Sequence, residues 1–199
     1  MYNKDLPNRL TILRIVLSII IVIMLLFPFN MINVNIPKFL VGGVIILDLK
    51  LVISGVLFII ASITDFLDGH IARKYDSVSN KGKVLDAIAD KILVNSILII
   101  LCGQGYIPAI IPVIVILRDT IVNTLKMLAG TNGDTVAAIK TGKFKTAFLM
   151  LGIILKLFGN FPLGLYNIAL DDFLLITATV LSVVSGIEYY NIYKKYIRN

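Results

Sequence analysis

Long apolar runs separated by short polar segments are the feature that most constrains how this chain folds. Of its 199 residues, 58% are hydrophobic and only 16% are charged, against about 25% charge in an ordinary soluble domain. Several runs have roughly the length that crosses a bilayer as a helix. The sequence therefore predicts one all-α, polytopic membrane domain over 1–199, with six transmembrane helices at about 10–28, 50–72, 84–102, 107–127, 143–160 and 172–192.

The positive charges predict the orientation of these helices. With the N-terminus in the cytoplasm, fourteen of the 19 Lys and Arg residues fall in cytoplasmic segments and two in outside segments. This bias predicts a multi-pass protein of the cell membrane with both termini in the cytoplasm. The net charge of +7 then indicates membrane lipids with anionic heads as partners and no nucleic acid.

Four aspartates flank the segment between the second and third predicted spans. Asp65 and Asp68 are three residues apart, and Asp86 and Asp90 are four apart, so each pair lies on one face of its helix. The short connection makes the two helices antiparallel neighbours. We therefore expect all four carboxylates to meet in a polar pocket open to the cytoplasm.

Grouped carboxylates in an apolar protein require positive charge. Two divalent cations would balance four carboxylates, and such paired-metal sites are common in phosphoryl chemistry. The alternative is four solvated aspartates beside a loop, which would not need matched helix faces on both sides of it.

A divalent-cation transporter is disfavoured because the aspartates flank a cytoplasmic loop and no repeat is visible. A membrane prenyltransferase generally needs two separated motifs and more helices than this chain can hold.

Small residues complete a spaced pattern around the aspartates, D-x-x-D-G-x-x-A-R, then eight residues, then G-x-x-x-D-x-x-x-D. At every fixed position the pattern resembles the signature of the CDP-alcohol phosphatidyltransferase family. Those enzymes have six transmembrane helices and usually form homodimers. They transfer a substituted phosphate group from a CDP-linked donor to an alcohol and release CMP.

The resemblance implies a role for each motif position. Asp65, Asp68 and Asp86 are the implied main ligands of two Mg²⁺ or Mn²⁺ ions. Asp90 is the implied base that deprotonates the acceptor hydroxyl, with a share in metal binding. The implied nucleotide-binding residues are Gly69, Ala72 and Gly82, which make room for the cytidine, and Arg73, which holds phosphates.

Two further stretches bear on the acceptor. The opening LPNRLTILR resembles the P-N-x-L-T-x-x-R start of bacterial phosphatidylglycerophosphate synthases, which implies Asn8, Thr11 and Arg14 as polar lining on the donor side. Arg118-Asp119 and AAIKTGKFKT over 137–146 resemble the R-[ED] and G-K-x-K-T elements of the same subfamily. The resemblance implies CDP-diacylglycerol as donor and glycerol 3-phosphate as acceptor. The alternatives that share donor and metal site are a CMP-forming cardiolipin synthase and an inositol-phosphate transferase.

Arg118 carries the physical case for a phosphorylated acceptor. It lies about halfway along a predicted span, where a guanidinium needs an anionic partner. Asp119 projects about 100° away around the helix, which predicts an imperfect neutraliser that only orients Arg118. An acceptor phosphate would satisfy Arg118, joined by Lys140, Lys143 and Lys145 from the loop that follows. The alternatives are an ion pair of Arg118 with an aspartate and ordinary loop charge for the lysines.

Two other polar residues have less specific expectations. His70 falls at a variable position of the signature and is expected to be an interfacial side chain near the metal site. Glu188, in the last span, either pairs with a cation of the pocket or extends toward the cytoplasmic face.

Overall fold

The computed structural model describes residues 6–74, 80–131 and 139–194, with side chains described except at 6–8, 30, 66–74, 80–84, 87 and 131. These residues contain six α-helices, which follow the predicted spans to within about one helical turn at either end. They are α1 (Leu6–Leu26), α2 (Leu49–Lys74), α3 (Asn80–Gly103), α4 (Ile110–Thr131), α5 (Lys140–Leu157) and α6 (Leu170–Tyr193).

A β-hairpin, which was not predicted, connects α1 to α2. Its strands, β1 (Lys38–Val41) and β2 (Ile45–Asp48), pair antiparallel, with Leu40 opposite Ile46. Gly42 and Gly43 in the turn both have positive φ, a conformation that glycine adopts without a steric penalty. Two short 3₁₀ helices, Phe29–Ile32 and Leu163–Tyr166, complete the order of elements.

The helices pack as two groups of three. In the first group α1 lies against α2 and α3; in the second α6 lies against α4 and α5. Smaller contacts of α2 with α5 and of α3 with α4 and α5 join the groups. One buried apolar cluster runs through both, including Phe58 of α2, Leu98 of α3, Leu149 of α5 and Leu175 of α6.

The helices expose many apolar side chains, and α1 and α6 do so along their length. By length and composition, Arg9–Leu26 and Leu170–Tyr193 are the two described stretches that could cross a membrane. On α1 the exposed residues include Ile12, Val16 and Ile23, and α6 exposes Phe173 and Val180. Apolar surface of this extent on a soluble protein marks an interaction site or a lipid contact, and it agrees with the membrane character expected from composition.

A close helix contact in the second group lies at Gly152 of α5. A Cβ atom added there would come within 2.9 Å of the Leu175 side chain and 3.2 Å of its backbone nitrogen. Only a glycine lets α5 and α6 approach this closely without a shift of the backbone.

We predict that Gly152→Ala destabilises the protein by about 1–3 kcal/mol, the usual range for overpacking. The matched control is Gly130→Ala in α4, where an added Cβ meets nothing within 4 Å and the better helix propensity of alanine applies. Thermal unfolding in one detergent measures both variants. Equal unfolding midpoints for the two would contradict the close contact.

Candidate active site

Three helices of the first group bring a buried arginine between two of the motif aspartates. Arg14 of α1 has a side chain that is only 1% exposed. Its Nη1 lies 2.6 Å from Oδ1 of Asp65 on α2 and 2.8 Å from Oδ1 of Asp86 on α3. Because both oxygens contact one nitrogen, they can lie no further apart than these two distances combined. The expected convergence of α2 and α3 carboxylates is therefore present for this pair.

The metal hypothesis is compatible with this geometry as far as the described side chains reach. Asp65 and Asp86 are 35% and 53% exposed, so a cation from solvent can reach them, and carboxylate oxygens are the donors that Mg²⁺ and Mn²⁺ prefer. Among the described residues no group of three or more His, Cys, Asp or Glu residues stands ready to hold a metal ion. The donor chemistry fits a divalent ion, and the number of ions stays a prediction.

Several predicted site residues lie outside the described side chains. These are Asn8, Asp68, Gly69, His70, Ala72, Arg73 and Gly82. Thr11 is buried on α1 one turn before Arg14. Contact of Thr11 and Arg14 with a nucleotide stays a prediction, whereas the contact of Arg14 with two carboxylates is observed.

A cavity of about 180 Å³ lies where α3 of the first group meets α4 and α5 of the second. Asp90 and Asn95 of α3, Arg118 and Asp119 of α4, and Lys145 of α5 are among its lining residues. The last aspartate of the signature therefore shares one cavity with the first residue of the R-[ED] element and with one lysine of G-K-x-K-T. The two stretches that were predicted separately from sequence meet at a single site.

Asp119 contacts Arg118 directly, in line with its expected role of orienting that arginine. Arg118 Nη1 donates to Asp119 Oδ1 at 2.9 Å, and Nη2 donates to Ser185 Oγ of α6 at 2.8 Å. Adjacent side chains do project about 100° apart, but the arginine side chain is long enough for its guanidinium to reach around the helix. Arg118 therefore has a structural ion pair, the alternative that the sequence left open.

Asp119 also contacts a second cation, which extends its predicted role. Lys145 Nζ lies 2.9 Å from Asp119 Oδ1 and 2.8 Å from Oδ2. One carboxylate thus orients both Arg118 and Lys145. Since two cations share one anion, the cluster of Arg118, Asp119 and Lys145 retains a formal charge of +1.

The three predicted lysines occupy different surroundings because α5 already begins at Lys140. They lie on a helix rather than in a preceding loop, so their side chains point in fixed directions. Lys145 is buried and lines the cavity, whereas Lys140 and Lys143 are exposed. The described structure therefore brings only one of the three to Arg118.

Residues of α6 near the site were not predicted from sequence. Ser182, Ser185, Tyr189 and Tyr193 are all buried and recur at helical spacing along an otherwise apolar span. A polar stripe on the inward face of a membrane helix is the signal that could have identified them, since lipid-facing positions do not favour polar groups. Glu188, for which two alternatives were open, accepts a hydrogen bond from Thr141 Oγ1 of α5.

Comparison with known proteins finds relatives over most of the chain. The chain is 37% identical over 187 residues to the CDP-diacylglycerol–glycerol-3-phosphate 3-phosphatidyltransferase of Bacillus subtilis, an alignment that covers 94% of each chain. It is 38% identical over 159 residues to the protein of that name from Mycoplasma pneumoniae, covering 79% of this chain and 69% of the relative. The Rickettsia felis protein of that name is 32% identical over 195 residues, 98% of each chain.

The family assignment covers most of the sequence. Residues 4–184 match the CDP-alcohol phosphatidyltransferase family, a range that includes the whole aspartate signature, Arg118 and Lys145. The motif of aspartates and small residues, the Arg14 contacts and the shared cavity all fall inside it. The chain belongs to the CDP-alcohol phosphatidyltransferase family.

Proposed function

We propose that this protein transfers the phosphatidyl group of CDP-diacylglycerol to sn-glycerol 3-phosphate, forming phosphatidylglycerol phosphate and CMP in glycerophospholipid biosynthesis. The observation that carries the proposal is the single cavity shared by Asp90 with Arg118 and Lys145. A carboxylate on one wall suits a hydroxyl that must lose its proton. Cations on the other wall suit an acceptor that carries a phosphate. Relatives over nearly the whole chain bear the name of this reaction.

The transfer requires one bond to form and one to break. The acceptor hydroxyl oxygen attacks the phosphorus that carries the diacylglycerol, and its proton passes to Asp90. The bond from that phosphorus to the CMP oxygen breaks, and CMP leaves with the electron pair. Asp65, Asp68, Asp86 and Asp90 would hold two divalent ions, Mg²⁺ or Mn²⁺, which when bound stabilise negative charge on the phosphates.

The remaining motif residues are proposed to bind the donor. Gly69, Ala72 and Gly82 would leave space for the cytidine nucleotide, and Arg73 would contact its phosphates. Asn8, Thr11 and Arg14 of α1 would line the same side. The described contact of Arg14 with Asp65 and Asp86 supports a further part for Arg14, which holds the carboxylates of α2 and α3 in register.

We infer that all six helices cross the membrane, with both termini and the active site on the cytoplasmic side, and that the protein forms a homodimer. The exposed apolar faces of α1 and α6 and the excess of Lys and Arg in the predicted cytoplasmic segments support this topology. Asp90 and Lys145 lie in the first halves of α3 and α5, the halves that the charge bias assigns to the cytoplasmic side.

We predict that the purified protein, in the presence of Mg²⁺, releases CMP from CDP-diacylglycerol when glycerol 3-phosphate is added. Phosphatidylglycerol, inositol 1-phosphate and a reaction without acceptor serve as comparisons, and a chelator should abolish release until Mg²⁺ or Mn²⁺ is restored. Release with phosphatidylglycerol or inositol 1-phosphate instead would still support the proposed role of the aspartates. It would contradict the assignment of Arg118 and Lys145 to the phosphate of glycerol 3-phosphate. No release by folded protein with any acceptor would contradict the transferase proposal.

Asp90→Asn should leave the protein folded and able to bind CDP-diacylglycerol, but should reduce CMP release by about 100-fold or more, the usual contribution of a positioned base. Asp172→Asn is the matched control. Asp172 contacts Lys156 near the start of α6, about 20 Å along that helix from Ser185, and its substitution should leave turnover unchanged. Nearly full turnover by Asp90→Asn would remove Asp90 as the base.

Arg118→Ala should raise the KM for glycerol 3-phosphate about 10- to 100-fold, the range for loss of a charge-assisted contact. The KM for CDP-diacylglycerol should change far less. Lys38→Ala, which removes an exposed cation from the hairpin, controls for the loss of one positive charge. Equal increases in both KM values for Arg118→Ala would indicate a purely structural ion pair.

A further inference from the structure

Tyr189 of α6 lies at the centre of the second helix group without a role in the chemistry described above. The residue is 2% exposed. Its ring centroid lies 5.3 Å from Cζ of Arg118 and 4.8 Å from Nζ of Lys126, both on α4. These distances are within the range for cation–π attraction, which strengthens where water is excluded. One buried ring therefore attracts two cations of the neighbouring helix.

The hydroxyl of the same side chain contacts a third element. Tyr189 Oη accepts a hydrogen bond from the backbone nitrogen of Ile139, at 3.2 Å. Ile139 is the residue immediately before α5, and α5 carries Lys145. The adjacent Glu188 accepts a hydrogen bond from Thr141 in the first turn of α5. Two successive residues of α6 thus fix the start of α5.

The guanidinium of Arg118 depends on few contacts. Nη1 donates to Asp119, Nη2 donates to Ser185, and the buried Nε has no hydrogen-bond partner. Both hydrogen bonds are made by the terminal nitrogens, Nη1 and Nη2. The guanidinium plane can therefore still tilt about the line that joins these two nitrogens. The ring of Tyr189, whose centroid lies 5.3 Å from Cζ, adds a contact that favours one orientation of the cation. A fixed plane matters because a guanidinium recognises a phosphate through paired donors in that plane.

We propose that Tyr189 is a positioning residue for the acceptor half of the site: its ring orients Arg118, and its hydroxyl fixes the start of the helix that carries Lys145. This proposal rests on the proposed function, in which Arg118 and Lys145 bind the acceptor phosphate. Tyr189 touches no reacting atom. Its effect should therefore be seen in acceptor binding and hardly at all in donor binding.

The test separates the ring from the hydroxyl. Tyr189→Leu removes both and should raise the KM for glycerol 3-phosphate about fivefold to thirtyfold, the range expected of a cation–π contact at a buried ring. Tyr189→Phe keeps the ring and should raise it about twofold to threefold, as expected for one neutral hydrogen bond. In both variants kcat and the KM for CDP-diacylglycerol should stay within about twofold of wild type.

The matched control is Tyr190→Leu, which removes the neighbouring ring from a position that is 51% exposed. It should leave both KM values unchanged. Thermal unfolding of all variants, with and without glycerol 3-phosphate, reports folding independently of turnover. Glycerol 3-phosphate should raise the unfolding midpoint of wild type and of Tyr190→Leu more than that of Tyr189→Leu.

Three other results of these measurements also decide the proposal. Equal changes in both KM values would make Tyr189 a general packing residue. If Tyr189→Leu does not fold, Tyr189→Phe decides, and an unchanged KM for glycerol 3-phosphate in that variant overturns the proposal. If wild type and Tyr190→Leu release no CMP with glycerol 3-phosphate and show no shift in unfolding midpoint, the proposed function has failed and the positioning role fails with it.

Discussion

The burial of charge among apolar helices is the constraint on which the rest of this structure depends. Each buried ion costs several kcal/mol unless it is paired and hydrogen-bonded. Arg14 meets this need with Asp65 and Asp86, and Lys156 meets it with Asp171 and Asp172. Arg118 and Lys145 instead share the single carboxylate of Asp119. The first two clusters each retain one negative charge, and the third retains one positive charge.

This unequal pairing separates the site into two halves. The first helix group presents excess carboxylate around Arg14, and the second presents an excess cation around Asp119. Asp90 of the first group lies with the second cluster in the cavity where α3 meets α4 and α5. The proposed reaction suits this combination, because carboxylates would hold divalent ions that stabilise the donor pyrophosphate and a cation of the protein would bind the acceptor phosphate. The Lys156 cluster, near the start of α6, pairs the end of α5 with α6.

Sequence spacing predicts what lies on one helix, and tertiary packing decides what lies between helices. The six helices follow from the length of the apolar runs, and the shared faces of the aspartate pairs follow from spacings of three and four residues. The structure has helices where they were expected. That Arg14 contacts both Asp65 and Asp86, and that Lys145 alone of the three lysines lines the cavity, depends on how each helix is rotated about its axis. The residue pattern of one segment does not determine how that helix is rotated about its axis against its neighbours. The ion pair of Arg118 with an aspartate stayed an open alternative in the sequence for another reason, because backbone geometry alone does not give the reach of a long side chain.

The glycine of the G-K-x-K-T element acquires a physical explanation only from these contacts between helices. A Cβ added at Gly142 would lie 3.4 Å from Arg118 Nη2, and one added at Gly186 of α6 would lie 3.2 Å from Arg118 Cγ. The backbone of α5 at Gly142 and that of α6 at Gly186 therefore pack directly against Arg118. Asp119 and Ser185 accept hydrogen bonds from its terminal nitrogens. With those sides closed, the cavity toward α3 is the direction from which an acceptor phosphate can approach Arg118. An approach from α3 passes Asp90, so binding of the phosphate would bring the acceptor hydroxyl toward its proposed base.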